Sequence, residues 1–216
     1  MKILKSQKGV SLIEVIAGIP LATLVFAIFT ISVLHFITTF EETRLYTKLQ
    51  EDLFNAIETM RYGYAYEPHT DNEGLIGLMT ADSVNIWSSR NTLEMRPIVI
   101  NQTLKKDYWC TITLNDDNHL EVYAKYGLKN FPERKIVFPS TPKKMIGREP
   151  QFKILNRGNI WTVEKMSYNK KPLMIKIQLE GQVRFRERRR GQTREDDIRQ
   201  NTRTIKYETS VFIGNA

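Results

Sequence analysis

One cysteine, three histidines and no glycine-rich phosphate loop leave this chain of 216 residues little with which to do covalent or redox chemistry. The single Cys110 cannot close an intramolecular disulfide, so stability must come from a hydrophobic core. It stands in an alternating, strand-like stretch, where a small buried thiol is inert. His35 falls in an apolar run, while His69 and His119 have turn-like neighbours, and none has metal-ligand spacing to another or to Cys110. A nucleophile-elbow motif is also missing. The sequence therefore argues against an enzyme, and neither a metal nor another cofactor is expected. Positive charge is modest too: of the net +8, Lys2, Lys5 and Lys8 supply three, which leaves about +5 for the rest. That is too little for a dedicated nucleic-acid binder.

What the chain has is a long apolar run near its start. Residues 15–34, "VIAGIPLATLVFAIFTISVL", carry no charge and at helical rise would extend about 30 Å, the thickness of a bilayer's hydrocarbon core. The three lysines precede it and "FEETR" follows with little net charge. The positive-inside tendency then puts the N-terminus in the cytoplasm and everything after Phe40 outside. A secretory signal removed after its apolar region needs a shorter run and a small-residue cleavage site, and neither is present. A plain anchor would leave Glu14 unexplained, because a carboxylate inside such a run costs roughly 2.5–3.5 kcal/mol at a helix centre.

The stretch "KGVSLIEV" resembles the class III signal of type IV pilins and of the pseudopilins of type II secretion. The match lies at Gly9, at Leu12-Ile13 and at Glu14; Val10 and Ser11 stand where phenylalanine and threonine are common. The resemblance implies that a prepilin peptidase cuts between Gly9 and Val10 on the cytoplasmic face. It further implies N-methylation of Val10 and retention of the apolar helix for assembly. Glu14, fifth residue of the mature chain, would then neutralise the new amine of a neighbouring subunit and set the register of assembly, two charges becoming one pair. Gly18 and Pro20 interrupt the same helix, as a kink or as a weak point at which pilin-like helices stretch on leaving the membrane.

Beyond the run, Leu45, Leu49, Leu53, Ala56 and Met60 recur at helical spacing, while Glu41, Glu42, Lys48, Glu51, Asp52 and Glu58 fall off that stripe. An amphipathic helix is expected there, ending near Gly63 and Pro68 and packing on its own sheet. The pattern then turns extended. "YWCTITL" and "HLEVYAKYG" flank "NDDN" and read as a hairpin whose Asn115, Asp116, Asp117 and Asn118 form a turn rather than a calcium site. Further strands are expected at Leu93–Ile100, Lys135–Phe138, Ile160–Lys165, Leu173–Leu179 and Arg203–Ile213. In "LMIKIQL" the apolar and polar residues alternate, as in a half-buried antiparallel strand.

Taken together, residues 1–9 read as a leader, 10–40 as a membrane and assembly helix, 41–66 as its amphipathic extension and 67–216 as a β-rich periplasmic head. The fold class is α+β and pilin-like: a long N-terminal helix packed on a mostly antiparallel head. "LQEDLFNA" and the closing "KYETSVFIGNA" resemble the larger minor, J-type pseudopilins, with Gly214-Asn215 where that group ends on Arg-Asn. The resemblance implies a minor subunit of the pseudopilus tip or priming complex, anchored in the bacterial inner membrane. Its partners would be other minor and major pseudopilins and the peptidase. A minor pilin of a surface type IV pilus, serving initiation, adhesion or DNA uptake, is the alternative, and a monomeric membrane-anchored binding module is a third reading. Arg184, Arg186, Arg188, Arg189 and Arg190 open an Arg-rich stretch read as a solvated hairpin loop. Only Phe185 is there to stack a base and four acids dilute the field, which argues against nucleic acid and leaves an acidic neighbouring subunit as a contact.

Overall fold

A computed structural model describes residues 12–64, 75–87, 91–97, 108–126, 134–142, 150–155, 158–166, 172–186 and 190–213. The chain divides into two compact units, Met1–Arg44 and Leu45–Ala216.

The first unit consists, in its described part, of the N-terminal portion of helix α1, which runs Leu12–Tyr62. Pro20 stands inside it without ending it. A proline there removes the amide that would bond to the Ile16 carbonyl, so the helix continues through a locally weakened turn.

In the second unit the expected stripe of α1 is buried. Leu49, Leu53, Ala56 and Met60 are wholly inaccessible, with Leu45 and Ile57 nearly so. The helix ends at Tyr62, four residues short of the expected boundary at 66. Gly63 follows with φ of 79°, the left-handed conformation that glycine adopts without steric cost after a helix. It opens β1 (Gly63–Tyr64), paired with β2 (Leu75–Ile76). A single 3-10 turn at Leu78–Thr80 leads into the first large sheet.

That sheet is an antiparallel meander of five strands: β3 (Ala81–Trp87), β4 (Thr92–Pro97), β5 (Tyr108–Leu114), β6 (Leu120–Tyr126) and β7 (Arg134–Phe138). The β5–β6 hairpin has the expected form, Leu114 facing Leu120 and Tyr108 facing Tyr126. Asn115 makes its turn: the side-chain oxygen accepts from the His119 amide at 2.8 Å, and Asn118 takes a positive φ of 62°.

A second sheet is built on one long strand. β8 (Gln151–Ile154) and β9 (Trp161–Met166) both pair along one edge of β10 (Pro172–Arg184), and β11 (Thr202–Phe212) pairs along the other. Every strand pairing among the described residues is antiparallel. On β10 the alternation is clean: Ile175, Ile177, Leu179 and Val183 are inaccessible while Lys176 and Gln178 stay partly exposed. These inner faces and the α1 stripe form one hydrophobic cluster. Gly181 of β10 lies under Leu53, and a Cβ there would come within 2.5 Å of a Leu53 methyl, so a missing side chain permits the close approach of helix and sheet.

Three expectations need correction. Strands β1, β2, β3 and β8 lie outside the expected ones. The proposed loop after β10 is not a plain loop: β10 itself extends to Arg184, and helix α2 (Arg194–Asn201) precedes β11. Its cause is local, since Thr193 caps the first turn by accepting from the Asp196 amide, and Glu195, Asp196 and Asp197 complement the positive end of the helix. Finally Asp52, placed off the apolar stripe by spacing, is buried.

Candidate functional site

The side chains of α1 between Leu12 and Phe40 are mostly apolar and, apart from the half-buried Thr38, exposed. Leu12 is 77% exposed, Phe26 71% and Phe36 69%. A long, mostly apolar exposed surface of this kind is costly in water and suited to lipid or to other apolar helices. The helix is long and apolar enough to cross a membrane. Four of its hydroxyls bond within the helix, as such surroundings favour. Thr23 donates to the Ile19 carbonyl, Thr30 to Phe26 and Ser32 to Ile28, each at 2.8 Å, and Thr38 donates to His35 at 2.9 Å.

Glu14 lies in the first described turn of α1, on this exposed surface, with apolar Ile13 and Val15 on either side. A carboxylate at that end of a helix meets the partial positive charge of the unpaired amides. One turn later Gly18 leaves open space where a side chain would stand. With Leu21, Ala22, Val25, Phe26 and Phe29 it borders a shallow apolar hollow on the helix side. Gly9 and Val10, the residues flanking the expected cleavage, lie outside the described residues.

In the head, two polar clusters anchor elements that the core alone does not hold. Asp52 of α1 accepts from the Ser140 amide at 2.8 Å and from its hydroxyl at 2.6 Å, just after β7, and pairs with Lys48 at 2.8 Å. That hydrogen bond raises the pKa of Lys48 above its ordinary value. The second cluster lies in the Arg-rich segment. Nη2 of Arg184 donates to both carboxylate oxygens of Asp197, at 2.8 and 3.1 Å, and Asn201 donates to the same carboxylate at 2.8 Å. Arg184 is thus engaged inside the head, bolting α2 to β10, and not presented as part of a basic contact loop. Arg190 is exposed, and Arg188 and Arg189 lie outside the described residues.

Phe185 is buried at 2% exposure, so the one aromatic of the segment is not available to stack on a base. Cys110 is fully buried in the core between β4 and β6, and burial pushes its thiol up to about 12. Among the described residues no three His, Cys, Asp or Glu side chains gather as a metal site.

Sequence reasoning missed the roles of Asp52 and Asp197. For Asp197 a signal was present: Thr193 followed three residues later by Asp196 is a helix start. For Asp52 none existed, because Ser140 is 88 positions away. Comparison of the chain with protein-family profiles, with curated proteins and with solved structures finds no match.

Proposed function

We propose that this chain is a pilin-like assembly subunit, and specifically a minor pseudopilin of a type II secretion system that helps to prime or cap the pseudopilus. One observation carries the proposal: a single carboxylate, Glu14, at the exposed start of a helix that then runs uncharged through residues 15–34 and follows a "KG" dipeptide. A simple anchor has no use for that carboxylate. An assembling subunit does, since cleavage after Gly9 would give each neighbour an amine at Val10 that Glu14 can neutralise. The long, mostly apolar helix and the antiparallel head are the parts such a subunit requires. Before assembly it would sit in the inner membrane as a single span, its head in the periplasm.

A clean deletion in the native host, scored two ways from one culture, tests this. Secreted enzymes trapped in the periplasm, with normal surface pili, is the expected result. Loss of sheared pili with normal secretion would overturn it and assign the chain to a type IV pilus as a minor pilin.

A further inference from the structure

The chain has 15 arginines and 17 lysines, yet residues 184–203 hold eight arginines and no lysine. Chance placement of solvated positive charge would mix the two. Arginine alone is the choice where a planar, bidentate contact to carboxylates is made, because its guanidinium gives up less hydration and less freedom per hydrogen bond. The structure separates these arginines into two groups. Arg184 holds Asp197, and with Asn201 it fixes the inner side of α2 against β10. On the other side, Arg190, Arg194 and Arg199 are exposed, and none has a salt bridge among the described residues. The nearby acids are partly engaged, Asp197 by Arg184 and Asp196 by the Thr193 hydroxyl at 2.6 Å. Between the arginines stands Ile198, one turn after Arg194 and 48% exposed.

We infer that the outer side of α2 is a docking surface for an acidic face of a different protein, with Ile198 as its apolar centre and Arg190, Arg194 and Arg199 around it. An exposed aliphatic residue with arginines before and after it in the chain has the composition of an interface core and rim. The rigid bolt beneath it means that little freedom is lost on binding. A second copy of the chain is the wrong occupant, since each copy carries a net charge of +8. Nucleic acid fits less well, because Phe185, the one aromatic of the segment, is buried and cannot stack on a base. Glu195 and Asp196 lie on the same short helix, so the partner's acidic groups must be placed against the arginines, as the folded surface of a protein can place them. This surface belongs to the head and does not depend on the assembly role of α1.

The test uses the full chain in detergent micelles, with labelled poly-L-glutamate and a DNA duplex of similar length as probes, read by fluorescence anisotropy. Arg190→Glu/Arg194→Glu is the main variant. Neither change damages α2, since Arg190 precedes the helix and an acid at Arg194 suits its first turn. Lys165→Glu/Lys206→Glu makes the same change of net charge elsewhere on the head, and circular dichroism confirms folding of both. The expected result is salt-sensitive binding of poly-L-glutamate that weakens roughly tenfold in the α2 variant and less than about twofold in the control. Arg199→Glu, tested singly, should weaken it in the same direction. Absence of poly-L-glutamate binding, equal loss in both double variants, or tighter binding of the duplex through the same residues would each overturn the inference.

Discussion

Replacing Gly181 by alanine tests how the head holds its helix. The added Cβ would stand 2.5 Å from one Leu53 methyl, 3.1 Å from the other and 3.2 Å from Cγ. A methyl at the tip of a free side chain could swing away. Leu53, however, is wholly buried, so relief requires the helix or the strand to shift within a packed core. Overpacking of this kind costs about 1–3 kcal/mol. Leu53→Ala alone removes buried methyls and costs about 2–5 kcal/mol. The two changes should not add, because without the Leu53 side chain the three atoms nearest the new Cβ are gone and part of the cavity is filled. The double variant should therefore be more stable than the sum predicts by at least about 1 kcal/mol. Urea unfolding of the full chain, followed by tryptophan fluorescence, reads this directly, since Trp87, Trp109 and Trp161 all lie in the second unit and Trp161 is 2% exposed. Additivity of the two substitutions within about 0.5 kcal/mol would refute the close contact of α1 with β10.

Asp52→Ala should lower stability by about 1–3 kcal/mol, since it strips the Ser140 amide and hydroxyl of their acceptor. Lys48→Met should cost less, because Lys48 is 46% exposed and its pairing is screened by water. The reverse order in urea midpoints would show that the ion pair, not the amide contact, is what matters. Cys110 should resist iodoacetamide at pH 8 in the native chain and react fully in urea, as its raised pKa and burial require; rapid native labelling would place it at the surface. Glu14→Ala should leave processing intact and reduce incorporation of the subunit into sheared filaments. Normal incorporation would remove charge pairing as the reason for Glu14.

The parts of the fold legible in the sequence are those governed by periodicity over a long window. The α1 stripe and the alternation in β5, β6, β10 and β11 each repeat often enough to be read directly. What escaped was short or decided at long range. β3, "ADSVNIW", interleaves three polar residues and pairs through a bulged register, and β8 has only four residues. α2 was hidden by its charge: a run of arginines reads as a solvated loop unless the cap at Thr193 is weighed first. Asp52 looked like a surface acid because its partner arrives from the end of β7. For the candidate site the division is similar. Glu14, Gly18 and Pro20 could be marked from the sequence because an apolar run makes any interruption conspicuous. That Arg184 turns to Asp197 depends on α2, whose start at Thr193 is hidden in a run of charge.

The most direct test of the assembly account is the mass of the mature chain recovered from membranes of its native host. Processing as proposed predicts a chain that begins at Val10 and is one methyl group heavier at its amine. A chain that still carries residues 1–9 would contradict the account and leave a membrane-anchored head in its place.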